Sequence, residues 1–398
     1  MAIQTLLLSS TSITPLRGVV VPWARRPAPE NRENMGSPAD LAERLHREEG
    51  VVAIGVDVSA DGITAVVADG GGSVISSLER PVPKDCRSNN AHRLAQEIGS
   101  AIEALCTGVA DDPSDEASGA AALVVGVCVP GVVDEDEGRV RRSETLGLQD
   151  VPLASLVRQS LSSWVTGPSG LSGDLEVMLY QDAGCGAWAE SQWGAAGRDC
   201  LYLAVGERIS SAVLLGGAPV LGEGWAGQVG RILVPDPDWS GERARLEDVA
   251  SVCAMVRRHA AGVLDDSADS LDSGSSAAVE TSSGCDDASG GASTQCASGL
   301  EVLLGAIGSG DREARRVWET GLDSLAGLVA HSVGLLGPLD VVVNSELMRV
   351  DEAVFLDPLR CRVADLVGDL PAPRLMAARL GTSAPALGAA GRALADWK

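Results

Sequence analysis

Three short runs of apolar and β-branched residues follow one another between 51 and 79, and they limit what the chain can fold into. The runs are VVAIGVDV, ITAVVAD and SVISSLE, and turns containing Gly and Asp join them. Such runs are typical of an antiparallel meander. Beyond them, candidate strands alternate with candidate helices. This alternation predicts an α/β fold in two lobes.

The alternation continues to the end of the chain. Helices are predicted at 91–106, 152–163, 182–194, 245–261, 299–307, 311–334, 351–366 and 383–396. Strands are predicted at 122–130 and 176–180, and in CLYLAV, SAVLLG, LDVVVN and RLMAAR. A chain of 398 residues is long enough for two or three domains. Since only 3% of the residues are aromatic, the core must consist of Val, Leu, Ala and Ile.

Two segments fall outside this pattern. Residues 1–50 contain the linker-like run VPWARRPAPENRENMGSP and one candidate helix, which begins near Ser37 and ends at Gly50. Residues 262–298 are rich in Ser, Asp and Gly and contain no Lys or Arg. A segment of this composition cannot bury much apolar surface. We therefore expect a disordered acidic insert at 262–298.

The net charge and the spacing of the cysteines limit the binding partners and the cellular compartment that we expect. The net charge of −24 opposes contact with nucleic acid unless a separate basic module makes it. The nine cysteines form no CxxC pair, which favours buried, reduced thiols in a cytosolic protein. No apolar run is long enough to cross a membrane. We expect a soluble, cytoplasmic protein without membrane contact.

A succession of motifs carries a family resemblance. In order they are IGVDV, GVCVPGVVDEDEGRV, QDAGCGAWAE, GAPVLGEGWAGQVG, LEDVAS and LGTSAPALGAAGRAL. Across 51–398, apart from the acidic insert, this order resembles the ROK family of sugar kinases, sugar-responsive transcriptional repressors and uncharacterised open reading frames. The glycines Gly126, Gly131 and Gly138 within these motifs are expected to serve the fold.

The resemblance implies a two-lobed α/β fold of the actin-like ATPase type, with sugar and ATP in the cleft between the lobes. The smaller lobe would comprise 51–181 together with the helix at 383–398. The larger lobe would comprise 182–382 and include the acidic insert. Residues 1–50 would then be an N-terminal extension, a candidate remnant of a DNA-binding region.

The first ATP-binding element of the family is altered in this chain. Family kinases carry Asp-x-Gly-Gly-Thr on the first hairpin, where the glycines let backbone N–H groups approach the phosphates. The corresponding residues here include Asp57, Ser59 and Asp61, and both glycines are absent. Asp61 would place a carboxylate near the phosphates. Two like charges about 4 Å apart repel by roughly 4 kcal/mol at an effective dielectric of about 20.

Two further nucleotide elements are also altered. The family sequence Gly-x-Gly-Ile-Gly-x-Gly corresponds to 206–212, where Gly206 and the isoleucine remain and Glu207 adds a negative charge that Arg208 can offset. Asn344 and Ser345 stand where the family has Gly-Gly beside the adenosine. The three changes together predict that ATP is not the ligand. ATP and Mg²⁺ are expected only if the protein is a kinase.

The zinc element of related proteins is missing as well. Those proteins hold zinc with one His and three Cys that follow a Glu-x-Gly-His motif, because four ligands must converge tetrahedrally. The segment 227–251 contains no His and no Cys, and the next candidate ligand is Cys253. We predict no zinc, and a turn formed by PDPDWSG in its place.

The sugar-binding element is better retained. The resemblance implies sugar contacts at Thr145, Gln181, Asp182, Gln228, Arg231 and Glu247. Asp182 matches the general base that takes a proton from a sugar hydroxyl, although a carboxylate there can also cap a helix. Arg231 replaces the family histidine. It indicates either an acidic or phosphorylated ligand, or a pocket closed by an Arg231–Glu247 ion pair.

Three functions remain open. A non-catalytic, carbohydrate-responsive regulator or sugar sensor fits the altered ATP elements. DNA contact would require a winged helix before the first hairpin, and residues 1–50 do not supply one. The alternatives are an ATP-dependent, glucokinase-like sugar kinase with Asp182 as its base, and a pseudokinase scaffold that recruits a protein partner. A small carbohydrate or sugar phosphate is the expected ligand, and a homodimer the expected assembly.

Overall fold

The computed structural model describes most of the chain after residue 50. The described residues are 51–60, 62–68, 71–83, 86, 90–110, 122–165, 174–271, 292–349 and 352–397. The chain divides into two units, Met1–Gly36 and Ser37–Lys398, and every described residue lies in the second. The predicted helix at 37–50, the middle of the acidic insert and Asp61 lie outside the described residues.

The first sheet contains the predicted meander. Strands β1 (Val51–Val58), β2 (Gly62–Ala68) and β3 (Val74–Pro81) pair antiparallel, which confirms the prediction. Strands β4 (Ala122–Val129) and β8 (Asp174–Gln181) extend the sheet in parallel, so that its order is β3-β2-β1-β4-β8. Helices α1 and α2 pack on this sheet; they span Ala91–Ala110 and Leu153–Val165.

A small antiparallel sheet follows β4 directly. Its strands are β5 (Val132–Asp134), β6 (Arg139–Ser143) and β7 (Leu148–Val151). Gly131 makes the turn from β4 into β5 with a φ of 121°. A Cβ at this position would lie 2.3 Å from the carbonyl oxygen of Arg142. Only glycine therefore allows β5 to approach β6 this closely.

The second sheet has the order β11-β10-β9-β14-β15. Strands β9 (Cys200–Val205) and β10 (Ile209–Leu215) form an antiparallel hairpin, and β11 (Ala218–Pro219) pairs with β10. Strands β14 (Asp340–Ser345) and β15 (Leu375–Ala377) join in parallel on the other side of β9. The strand predictions for this region are confirmed.

The remaining elements cover the second sheet and complete the chain. A hairpin is formed by β12 (Leu233–Pro235) and β13 (Arg243–Arg245). The helices are α3 (Asp182–Trp193), α4 (Leu246–Ala250), α5 (Val252–Leu271), α6 (Ala292–Gly308), α7 (Arg312–Leu336), α8 (Leu356–Val367) and α9 (Ala384–Asp396). Short helical turns span Gly222–Gly224, Val229–Arg231, Glu346–Arg349 and Gly381–Ser383. In the described part of the chain, no helix combines the length and apolar character that a membrane span requires.

The ends of the acidic insert are helical. Helix α5 continues to Leu271 and α6 begins at Ala292, so the prediction of disorder throughout 262–298 is wrong at both ends. The predicted helix at 245–261 is also interrupted, because Ser251 adopts an extended conformation between α4 and α5. Helix α5 packs against α6. Such tertiary packing stabilises helices that the composition of the segment does not predict.

A disulfide links these two helices. Cys253 and Cys296 are bonded, with Cα atoms 5.3 Å apart and a sequence separation of 43. The prediction of reduced thiols is therefore wrong for this pair. Among the other described cysteines, Cys86, Cys128, Cys185 and Cys200 are buried, and Cys361 is exposed. The pairing depends on how α5 and α6 pack, which the spacing of the cysteines does not reveal.

Glycines on β1 and β4 allow helix α9 to lie directly on the first sheet. A Cβ at Gly126 would be 2.0 Å from the carbonyl oxygen of Ala389. We expect Gly126→Ala to lower the free energy of unfolding by about 3 kcal/mol, because backbone must move to make room. Equilibrium unfolding in urea measures the change.

A matched control is Gly327→Ala on α7, where an added Cβ would meet nothing within 4 Å. This change should leave the protein as stable or stabilise it by up to about 1 kcal/mol, since alanine favours helix. Equal unfolding midpoints for the two variants would contradict the proposed packing.

Candidate functional site

One pocket brings together most of the residues predicted for sugar binding. It contains about 540 Å³ of empty space, which includes open solvent, and lies beside the end of β4, the turn after β6 and the β9–β10 turn. Five of the six predicted residues line it: Thr145, Asp182, Gln228, Arg231 and Glu247. They come from four separate places in the chain, since Gln228 and Arg231 share one helical turn, so the fold assembles them.

A hydrogen bond from a side chain to the backbone joins two walls of the pocket. The side-chain Nε2 of Gln228 donates to the carbonyl oxygen of Gly131 at 2.9 Å. Thr145 lies in the turn between β6 and β7, beside Gly147, which has a φ of 64°. Glu247 lies on α4 and only 9% of its side chain is exposed. The polar groups are thus positioned by turns and by a short helix at the rim of the second sheet.

Gln181 is the predicted sugar contact that does not line this pocket. It is the N-cap residue of α3, and its Oε1 accepts from the backbone N–H of Gly184 at 2.8 Å. Its Nε2 is buried without a hydrogen-bond partner. It faces a second, smaller cavity shared with Glu135. Asp182 also interacts with the start of α3, because its Oδ1 accepts from the N–H of Ala183 at 2.7 Å. Both interpretations of Asp182, ligand contact and helix capping, are therefore compatible with its position.

Two carboxyl groups at the base of the cleft have raised pKa values. Burial raises the pKa of Asp182 to about 7, and the neighbouring charge of Asp57 adds to the shift. Burial likewise raises the pKa of Asp57 to about 6, although a hydrogen bond from Cys128 opposes the shift. The Sγ of Cys128 lies 3.4 Å from Oδ1 of Asp57. Near neutral pH, Asp182 can therefore both accept and release a proton.

Four arginines surround two glutamates at the mouth of the pocket. We call Arg142, Arg208, Arg231 and Arg245 the arginine cluster. Oε1 of Glu144 accepts from Arg142 at 2.7 Å and from Arg231 at 2.9 Å. Oε1 of Glu247 accepts from Arg208 at 3.3 Å, and Arg245 lies 3.8 Å away.

The arginine cluster corrects one sequence-based alternative. An Arg231–Glu247 ion pair was one of two possibilities, but Arg231 pairs with Glu144 instead. The hydrogen bond from Arg231 holds the pKa of Glu144 below its usual value. Sequence reasoning missed Glu144, Arg142 and Arg245. The charged run RRSE directly before Thr145 was the available signal.

The second phosphate turn of the family corresponds to a tight three-residue turn here. Val205 pairs with Ile209, and the N–H of Gly206 donates to the carbonyl oxygen of Arg208 at 3.0 Å. The carbonyl oxygen of Gly206 accepts from the N–H of Val252 at 2.9 Å. Arg208 extends to Glu247, so its charge is directed at the pocket.

Other nucleotide positions are engaged in contacts within the protein. Ser59 exchanges hydrogen bonds with Gly62 at 3.1 and 3.2 Å and closes the first hairpin. Asn344 donates from Nδ2 to the hydroxyl of Tyr202 at 2.6 Å and to the carbonyl oxygen of Gly381 at 3.2 Å. Ser345 donates from Oγ to the carbonyl oxygen of Val205. The polar side chains at these positions therefore bond other atoms of the protein and stabilise its fold.

An ion-pair network stabilises the segment that corresponds to the zinc element of related proteins. Asp238 accepts two hydrogen bonds from Arg258, at 2.7 and 3.1 Å, and also pairs with Arg316 at 2.8 Å. The predicted PDPDWSG turn is confirmed, since it connects β12 to β13. Within the described residues, no three His, Cys, Asp or Glu side chains converge as a metal site would require. The residues of this segment do not suit zinc.

Comparison with known proteins identifies the family. A family model described as "ROK family" matches residues 53–396. The chain belongs to the ROK family. Its architecture is that of the actin-like ATPase fold. The ROK hexokinase from Thermus thermophilus has a TM-score of 0.60 and 24% identity, with 85% of this chain and 96% of that chain covered.

Curated relatives of this ROK protein fall into two functional groups. The bifunctional enzyme NanE/NanK of Brucella suis biovar 1 is 27% identical over 270 residues, which are 66% of this chain and 41% of that protein. The xylose repressor of Caldicellulosiruptor bescii is 29% identical over 140 residues, which are 34% of this chain and 32% of that protein. The chain therefore spans less than half the length of these relatives.

The raised pKa of Asp182 predicts a pH-dependent effect of its removal. In the unfolded chain its pKa would be about 3.9, so above pH 7 the folded protein bears the full cost of burying the charge. Asp182→Asn removes that cost and can still accept from Ala183. We expect the variant to be more stable than the wild type by roughly 2–4 kcal/mol at pH 8.

The stability difference should shrink as the pH falls from 7 to 4 and vanish below 4, where the carboxyl is protonated in both states. Urea unfolding at several pH values measures it. As a control, Asp248→Asn changes a side chain that is 56% exposed and should have little effect. A destabilised Asp182→Asn at pH 8 would contradict the raised pKa.

Proposed function

We propose that this ROK protein binds a carbohydrate, does not transfer phosphate from ATP, and acts as a sugar-responsive sensor or regulator. The observation that carries the proposal is the position of Arg208. It occupies the turn that corresponds to a phosphate-binding element in family kinases, yet its side chain bonds Glu247 in the sugar pocket. The turn thus serves the sugar side of the cleft.

The other nucleotide positions support the same conclusion. Ser59, Asn344 and Ser345 use their polar groups to bond neighbouring protein atoms. A bound nucleotide would have to break these bonds and leave their partners unpaired, at a cost of about 1–3 kcal/mol each. The residues present therefore do not suit ATP.

The opposite side of the cleft retains groups suited to hydroxyls. Thr145 can donate and accept, Gln228 has an amide that can do both, and carboxylates at Asp182 and Glu247 accept. Hydroxyl recognition requires several such groups in one concave site. Similarity to a xylose repressor agrees with a regulatory role.

One observation favours a sugar kinase as the second candidate. The pKa of Asp182 is about 7, which suits a general base at neutral pH. Similarity to the NanE/NanK enzyme agrees with this alternative. A kinase would also have to bind ATP and Mg²⁺, and the altered elements oppose that binding.

Calorimetry combined with a coupled ADP assay distinguishes the two functions. ATP–Mg²⁺ should give no binding heat at millimolar concentration, and neutral and phosphorylated hexoses should give no sugar-dependent ADP release. At least one of these sugars should bind. Asp182→Ala should weaken that binding about tenfold, the loss of one hydrogen bond to a charged group.

Asp248→Asn, on an exposed side chain of α4, is the control and should bind as the wild type does. Micromolar affinity for ATP together with ADP release that Asp182→Asn abolishes would instead establish the kinase.

A further inference from the structure

The pocket carries an excess of positive charge in a strongly acidic protein. The whole chain has a net charge of −24, yet the four guanidiniums of the arginine cluster share Glu144 and Glu247 as ion-pair partners. Arginine stays protonated at any physiological pH. The two glutamates therefore neutralise half of the cluster.

Asp182 is the third carboxyl group of the pocket, and it does not fully neutralise the remaining positive charge. With a pKa of about 7, Asp182 is neutral about half of the time at neutral pH. Burial and the neighbouring charge of Asp57 both contribute to this raised pKa. An anion bound beside the arginine cluster would thus meet more guanidinium groups than ionised carboxylates.

The guanidiniums retain hydrogen-bonding capacity. Contacts with Glu144 and Glu247 use a single terminal nitrogen of each arginine in the cluster. The arginine side chains are between 32% and 53% exposed, with Arg231 the least exposed and Arg142 the most. Each guanidinium has five N–H donors, and pairs of them match the oxygens of a carboxylate or phosphate.

Groups suited to sugar hydroxyls line the same pocket. Thr145 and Gln228 are neutral and lie with Arg208 and Arg231 around one volume of about 540 Å³. A ligand that satisfies both sets must combine hydroxyls with a negative charge. A neutral sugar would leave the excess charge unused, and a bare anion would leave the hydroxyl-binding groups unused.

We propose that the pocket binds an anionic monosaccharide, one that carries a phosphate or a carboxylate group. This inference rests on the proposed carbohydrate-binding function and specifies its ligand class. The charged group of the ligand lies against Arg208 and Arg231, and its hydroxyls face Thr145, Gln228 and Asp182.

Calorimetric titration at fixed ionic strength tests the ligand class. The probes are glucose, mannose and N-acetylmannosamine, the 6-phosphate of each, glucuronate and inorganic phosphate. We expect at least one anionic sugar to bind ten times more tightly than its neutral counterpart and than inorganic phosphate. Phosphorylated sugars binding best would identify phosphate as the charged group, and glucuronate binding best would identify carboxylate.

Charge-removing variants test the residues. Arg231→Gln keeps a hydrogen-bond donor without the charge and should weaken binding of the anionic sugar about tenfold, while any binding of the neutral sugar stays the same. Arg142→Gln serves as a second variant if Arg231→Gln fails to fold. Arg362→Gln is the matched control, since Arg362 pairs with Asp323, whose side chain is 66% exposed, and lines no part of the pocket.

Several results would overturn the inference: equal affinity for neutral and anionic sugars, equal affinity for inorganic phosphate, no binding by any anionic probe, or no effect of Arg231→Gln and Arg142→Gln. Tight binding of a neutral sugar alone would remove this inference and leave the sensor function standing. Sugar-dependent ADP release would remove the sensor function, and the preference for anionic sugars would still be decided by the titrations.

Discussion

The close contact between helices α3 and α9 is the constraint on which the rest of the structure depends. Gly388 on α9 lies so near α3 that a Cβ would be 1.9 Å from the carbonyl oxygen of Cys185. On its other side α9 lies against β1 and β4, where glycines again allow backbone contact. Helix α3 in turn contacts β9 and β10. This pair of helices therefore joins the two sheets and sets the position of the cleft between them.

A buried ion pair extends this arrangement to the pocket. Arg392 on α9 bonds both oxygens of Glu135, at 3.0 and 2.7 Å, and lies 4.1 Å from the ring centre of Tyr180. Both charged side chains are less than 10% exposed. A buried pair of this kind holds its partners in one geometry, because a lone buried charge is costly. Through it, the segment after β5 is fixed relative to α3, where Asp182 begins the helix.

The two sides of the cleft have different characters. On one side, serine, asparagine and arginine occupy positions that correspond to glycines of family kinases, and their side chains bond other parts of the protein. On the other side, polar and charged groups line a pocket that opens to solvent. Arg208 connects the two, since it lies in the altered phosphate turn and contributes its charge to the pocket. The altered turn thus supplies a new group to the site.

The sequence by itself determined the α/β alternation, the first meander, the family and five of the residues that line the pocket. These follow from local periodicity, turn residues and the order of motifs, which are properties of neighbouring positions. Tertiary structure alone decided that Arg231 pairs with Glu144, that Cys253 pairs with Cys296, and that Gln181 caps a helix outside the pocket. It also decided the raised pKa of Asp182, because burial depends on every element packed around the carboxyl group. Such contacts join residues distant in the chain, and the packing of whole elements selects among the partners that local patterns allow.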